Sequence, residues 1–222
     1  MTTLTAPSLT GLLDRLFAQA DRDFSSTPPL FAALSQEDRI RLMTSATEYR
    51  SLYSALKDEA LAVSRETGTL LYLLARATSA RTIVEFGTSF GLSTLHLAAA
   101  LRDNGGGQLI TSEFEPSKAA RARATFAEAG FDDLIELREG DALETLSRDL
   151  PQSIDMVLLD GAKGLYPAML DRLEPYLRAG ALILADNADW SAEYLARVRD
   201  PATGYLSVPF AGDVELSMRL PA

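Results

Sequence analysis

The sequence predicts an α/β protein: a doubly wound, mostly parallel seven-stranded sheet with an antiparallel C-terminal strand and extra N-terminal helices. Three observations carry this. Five short apolar runs alternate with stretches whose apolar residues recur at helical spacing, as in a parallel sheet covered on both faces. Gly204 to Phe210, a Gly212-Asp213 turn and Val214 to Met218 read as a closing hairpin. The first 62 residues show helical spacing and no strand.

Composition bounds the rest. The chain has 222 residues, 47% of them hydrophobic, enough for one domain with a sizeable core. A net charge of −10 repels phosphate backbones, so no nucleic-acid partner is expected. With no cysteine there is no disulfide, thiolate metal site or cysteine nucleophile. The longest apolar run, around Leu70 to Ala75, is too short for a bilayer, and the first residues lack a basic segment followed by an apolar core. A cytoplasmic protein with no membrane partner is the expectation.

Residues 1–62 begin with Leu12, Leu13, Leu16 and Phe17 on one helical stripe. Ser25 to Pro29 reads as a turn, and Ser35-Gln36-Glu37-Asp38 as a capping box that starts a second helix. Tyr49, Leu52, Tyr53 and Leu56 sit at helical spacing. This segment either covers the sheet, with a homodimer contact, or forms a lid over the substrate. Ala62-Val63-Ser64 breaks the pattern, and Leu70, Leu71 and Leu74 resume it.

The first strand, Thr82-Ile83-Val84, runs into Glu85 and the loop Gly87 to Gly91, with a helix from Phe90 to about Asp103. The second strand, Gln108 to Ser112, ends at Glu113. Pro116 and Ser117 open a helix that Gly130 closes. The third strand, Leu134 to Leu137, leads to Gly140-Asp141-Ala142. The fourth, Met156 to Leu159, ends at Asp160 and is followed by a helix through Leu177, closed by Gly180. The fifth, Ala181 to Ala185, ends at Asp186-Asn187, with a helix through Tyr194 and Val198 after it. The order is that of a Rossmann-like sheet, whose ligands lie at the carboxyl ends of the strands.

A glycine turn between a strand and a helix lets backbone N–H groups approach a ligand closely. The dinucleotide pattern G-x-G-x-x-G fails here, because Ser89 and Leu92 stand where it needs glycines. Gly87-Thr88-Ser89-Phe90-Gly91 spells the G-x-S-x-G elbow of hydrolases, but the single histidine, His96, follows Ser89 by only seven residues on the next helix. His96 therefore reads as a surface or packing residue. The remaining pattern is E-x-G-x-x-x-G, the S-adenosylmethionine loop of class I methyltransferases.

The strand ends strengthen that last reading. Glu85, Glu113, Asp141, Asp160 and Asp186-Asn187 fall at one edge of the sheet and converge on one cleft. Glu113, 22 residues after Gly91, is placed to accept two ribose hydroxyls. Asp160, Asp186 and Asn187 offer only oxygen ligands, which suits a hard divalent cation such as Mg²⁺. Lys163, three residues after Asp160, would face the same cleft, and the small Gly161 would leave room on the acceptor side.

From about Val63 onward the chain resembles the cation-dependent, catechol O-methyltransferase-like group of class I S-adenosylmethionine-dependent O-methyltransferases. The resemblance rests on Glu85-Phe86-Gly87-Thr88-Ser89-Phe90-Gly91-Leu92-Ser93, Ser112-Glu113-Phe114-Glu115-Pro116, Asp160-Gly161-Ala162-Lys163-Gly164-Leu165-Tyr166 and Asp186-Asn187. It implies that Val63, Glu85, Gly87 and Ser93 hold the methionine end of S-adenosylmethionine, with Thr88, Ser89 and Gly91 completing the loop. Glu113 would bind the ribose, and Gly140, Asp141 and Ala142 would line the adenine. Asp160, which also borders the cofactor, would bind the metal with Asp186 and Asn187, and Lys163 would be the base. The implied reaction moves a methyl group to a hydroxyl of a small vicinal diol. For that chemistry the pKa of Lys163 must fall by roughly 3, about 4 kcal/mol. A metal-independent methyltransferase and a non-catalytic S-adenosylmethionine-binding protein are the alternatives.

Overall fold

The computed structural model describes residues 2–25, 29–32, 34–210 and 212–221. Four helices come first: α1 (Pro7–Ser25), α2 (Pro29–Ala32), α3 (Gln36–Thr44) and α4 (Tyr49–Ala55). The turn expected over Ser25 to Pro29 falls on 26–28, outside the described residues. Ser35 caps α3 by accepting from the Asp38 N–H at 3.1 Å, the first half of the capping box.

The sheet domain follows as α5 (Arg65–Ala77), β1 (Thr82–Phe86), α6 (Leu92–Asp103), β2 (Gln108–Glu113), α7 (Pro116–Ala129), β3 (Ile135–Glu139), α8 (Ala142–Thr145), β4 (Ile154–Leu159), α9 (Tyr166–Leu173), β5 (Leu177–Ala185), α10 (Ala192–Val198), β6 (Tyr205–Phe210) and β7 (Val214–Arg219). Strand order is β3-β2-β1-β4-β5-β7-β6. The first five strands are parallel, and β7 runs antiparallel to both β5 and β6. The order reverses between β1 and β4, where an open sheet leaves its crevice.

Strand alternation divides the core in two. Ile83, Leu109, Met156 and Leu158 pack with α1, α5, α6 and α7 on one face. Val84, Ile110, Val157, Leu159 and Ile183 pack with α9 and α10 on the other. The α1 stripe of Leu12, Leu13 and Phe17 joins the first core, and the chain start is tied down where the Thr3 hydroxyl donates to Asp103 at 2.5 Å.

Gly180 differs from the sequence reading, and His96 takes one of the two roles that reading left open. Gly180 does not close a helix: α9 stops at Leu173, Leu177 opens β5, and Gly180 sits inside that strand at φ +79°. The β4–β5 register shifts there, Ile154 facing Leu177 but Met156 facing Leu182, so the glycine serves a bulge. His96 is a packing residue and not a surface one. Its ring lies edge-on to Phe17 and within 3.0 Å of where a Cβ on Gly68 would project.

Candidate active site

The loop after β1 is shaped by close approach. Gly87 has φ +101°, and a Cβ there would stand 2.6 Å from the Asp160 carbonyl oxygen, so the ends of β1 and β4 touch through a glycine. Gly91, at φ +89°, opens α6 with the Phe126 ring 2.5 Å from where its Cβ would be. Between them Ser89 is held at φ +49°. Its N–H donates to Glu113 Oε2 at 2.8 Å, while the Glu115 N–H donates to Oε1 at 2.8 Å. The Ser89 hydroxyl is buried without a protein partner and borders a cleft with Glu113, Gly140, Asp141, Ala142 and Asp160. A buried orphan hydroxyl at the border of a cleft is what a polar ligand would complete.

Glu85 and Ser93 support this loop from beneath. Alternation puts Glu85 on the Ile83 face, under the start of α6. There its Oε1 accepts from Ser93 and its Oε2 from Thr94 and Thr111, each at 2.6 Å. Burial pushes the Glu85 carboxyl up to about 7 against the pull of those donors. Thr88 is likewise turned inward, with its hydroxyl 2.6 Å from that of Thr111. Phe86, on the opposite strand face, lays its ring against Gly161, 2.3 Å from where a Cβ would be. The space expected at Gly161 for the acceptor is therefore filled by Phe86.

Asp141 caps α8 through Oδ1, which accepts from the Leu143 N–H at 2.9 Å. Its Oδ2 receives the Tyr49 hydroxyl at 2.5 Å and the Arg50 guanidinium, both from α4. Tyr53, one turn on, donates to the Gly161 carbonyl at 3.3 Å. At the other end of this segment the Thr44 carbonyl lies 2.4 Å from where a Cβ on Gly164 would be. Residues 44–53 thus roof the strand ends, a placement that no local spacing in the sequence signals.

A second, larger cleft adjoins the first and is bordered by Val63, Asp160, Lys163, Asp186, Asn187, Trp190 and Asp213. Lys163 Nζ donates to Asp160 Oδ1 at 2.8 Å. Burial, the largest influence, pulls Lys163 down, yet Asp160, Tyr166, Tyr53 and Asp186 outweigh it and hold the ammonium well above the usual lysine range. The sequence reading needed the opposite direction. Asp186 is pushed up by burial and by Asp160 beside it. Asn187, at φ +49°, donates Nδ2 to Asp213 Oδ2 at 2.8 Å, which leaves its carbonyl oxygen free to ligate. Asp213 escaped the sequence reading; it reaches the site because β7 pairs with β5. The Tyr166 hydroxyl lies 2.8 Å from the carbonyls of Leu159 and Asp186 and ties the β4 and β5 ends together.

Among the described residues no three histidine, cysteine, aspartate or glutamate side chains form a metal-holding group. The donors present are two neighbouring carboxylates and an amide oxygen. The mutual repulsion that raises Asp186 is the kind a hard cation relieves, so these residues fit one.

Fold and loop together define an α/β protein with a glycine-loop cleft at the switch point of its sheet. The profile of the O-methyltransferase family matches residues 38–210, and the chain belongs to that family. It is 36% identical over 131 residues to a catechol O-methyltransferase of Niastella koreensis, covering 58% of each chain. It is 35% identical over 140 residues to a catechol O-methyltransferase of Mycobacterium tuberculosis, covering 63% of each. Both alignments span less than two thirds of those relatives. Among solved structures it is similar to the O-methyltransferase TomG of Streptomyces achromogenes, involved in tomaymycin synthesis and bound to S-adenosylmethionine. The TM-score is 0.63 at 29% identity, over 85% of this chain and 100% of that one. The O-methyltransferase of Bacillus cereus, in complex with S-adenosylhomocysteine, shares the fold with TM-score 0.67 at 21% identity, over 93% of this chain and 100% of that one.

Proposed function

We propose that this protein transfers a methyl group from S-adenosylmethionine to a hydroxyl of a small, catechol-like acceptor, with a divalent cation, Mg²⁺, at the strand ends. One observation carries the reading. The cleft of the glycine loop, with its unpartnered Ser89 hydroxyl and the Glu113 carboxylate, meets the Lys163 cluster at Asp160. The reading has no nucleic-acid partner and places the work in the cytoplasm. Among the described residues no helix is long and apolar enough to cross a membrane.

In this mechanism Ser89 and Glu113 bind the cofactor, and Gly140, Asp141 and Ala142 border its base. S-adenosylmethionine, when bound, supplies a methyl group on a sulfonium. Asp160, Asp186 and the Asn187 oxygen hold the cation, whose charge would lower the pKa of an acceptor hydroxyl. Lys163 Nζ takes the hydroxyl proton. The ammonium holds its proton here, so the role requires the Asp160 carboxylate to be engaged elsewhere, which removes one of the influences that raise Lys163. The junction of the two clefts at Asp160 would hold the acceptor oxygen against the methyl group, so that the carbon–sulfur bond would break as the oxygen–carbon bond forms, and this orientation would supply much of the rate. S-adenosylhomocysteine and the methyl ether are the products.

The test is calorimetric titration with S-adenosylhomocysteine, followed by turnover of catechol with S-adenosylmethionine, with Mg²⁺ or with EDTA. Micromolar binding and turnover lost to the chelator support the reading. Turnover indifferent to EDTA removes the metal from it, and a folded protein that does not bind removes the whole of it.

A further inference from the structure

The two clefts have few residues in common: Tyr53, Leu61 and Asp160 border both. If the cofactor lies in one and the acceptor in the other, the methyl group crosses where they meet. Asp160 already has a role there, and Leu61 belongs to the loop before α5. Tyr53 comes from α4, outside every motif of the strand ends.

Its surroundings are particular. Its charged neighbours are Lys163 and Asp160 on the acceptor side and Glu113 on the cofactor side. The hydroxyl is tied to the Gly161 carbonyl at 3.3 Å, and α4 is pinned one turn earlier by the bonds of Tyr49 and Arg50 to Asp141. Leu52, next to it in α4, and Leu56, just past the end of the helix, are buried. A ring so held is a fixed wall and not a mobile flap.

We infer that Tyr53 is a positioning residue of the methyl transfer, its ring forming the wall against which the acceptor lies and its place fixed by the roof helix. This rests on the methyltransferase reading above. The 3.3 Å hydrogen bond is long, so the ring and not the hydroxyl carries the role. Misplacing reacting atoms by about 1 Å costs on the order of 10²-fold in rate. Opening the wall should also loosen which of two neighbouring hydroxyls faces the methyl group.

The test uses the full chain with Mg²⁺, S-adenosylmethionine and 3,4-dihydroxybenzoate, measuring kcat, KM and the ratio of 3-O- to 4-O-methyl product. S-adenosylhomocysteine binding is followed in parallel. Tyr53→Ala should lose about 10²-fold in kcat and shift the product ratio towards one, with cofactor affinity within about threefold of wild type. Tyr53→Phe should keep both rate and ratio. If Tyr53→Ala does not fold, Tyr53→Leu takes its place. Unchanged rate and ratio in the truncated variant overturn the inference. So does a loss of cofactor binding that parallels the loss of rate, since Tyr53 would then only hold the roof. Wild-type protein inactive on both 3,4-dihydroxybenzoate and catechol overturns the methyltransferase reading, and this inference falls with it.

Discussion

Glu113→Ala is the sharpest single perturbation of the proposed cofactor cleft. A carboxylate offers about four lone-pair sites. Oε2 accepts from the Ser89 N–H and Oε1 from the Glu115 N–H, both at 2.8 Å, and the Phe114 N–H also acts on the carboxylate. The proposed ribose would take two further hydrogen bonds, one to each oxygen. Each hydrogen bond to a charged group contributes about 1.5–3 kcal/mol, so losing both removes about 3–6 kcal/mol. At 1.4 kcal/mol per factor of ten, affinity for S-adenosylhomocysteine should fall by roughly 10²- to 10⁴-fold. The two backbone donors also lose their acceptor. Glu113 faces a cleft where water can replace it, so the stability loss stays near about 1–3 kcal/mol. Titration calorimetry gives the first quantity and chemical denaturation the second. Glu113→Gln is the control: it keeps one acceptor oxygen, but its NH₂ must face one of the two backbone donors, so it should fall between the other two proteins. A folded Glu113→Ala protein that binds within threefold of wild type would refute the ribose assignment, whatever its stability.

Removing the clasp on Asp141 with Tyr49→Phe and Arg50→Ala together should speed S-adenosylhomocysteine release by tenfold or more, read by stopped flow on the fluorescence of Trp190, the single tryptophan; an unchanged rate means that α4 does not gate the cleft. Gly164→Ala places a Cβ 2.4 Å from the Thr44 carbonyl, so overpacking should cost about 1–3 kcal/mol in urea denaturation and weaken cofactor binding as the roof lifts; a neutral result would show the roof to be adaptable. Glu85 has a folded pKa of about 7 against an ordinary 4.5, so the fold favours its protonated form. Its stabilising contribution is complete below pH 4.5 and disappears as pH rises through 7, a change of about 3 kcal/mol at 1.36 kcal/mol per pKa unit. Denaturation at pH 5 and pH 7.5 should show that loss, and Glu85→Gln should abolish the difference. Equal slopes in both proteins would show Glu85 to be ionised throughout.

The elements legible in the sequence were those whose cause is local. Gly130 ends α7 in a left-handed cap directly after the apolar face of that helix, and the strand runs carry their own β-branched signal. Glu113 was placed by spacing alone, because strand, turn and helix lengths fix where the next strand end falls. What escaped depends on packing between distant parts of the chain. Gly180 has the appearance of a helix terminator until the β4 partner imposes a bulge on it. Gly161 suggests free space until the Phe86 ring fills it. Glu85 belongs to the loop motif, yet strand alternation turns its carboxylate away from the cleft towards three hydroxyls.

The roof shows the same division at larger scale. The helical spacing of Tyr49 and Tyr53 marks a helix but not what it covers, and their partners Asp141 and Gly161 lie some hundred residues away. Yet one glycine of the Asp160-Gly161-Ala162-Lys163-Gly164 turn makes sense only with that roof in place. Gly164 leaves space for the Thr44 carbonyl, whereas Gly161 makes room for the Phe86 ring and offers the carbonyl that Tyr53 reaches. Lys163 sits between them, buried and paired with Asp160, and burial alone would lower its pKa. The roof therefore does more than cover the strand ends: it carries Tyr53 to the side of Lys163, where burial competes with Asp160 and its neighbours over the lysine's proton.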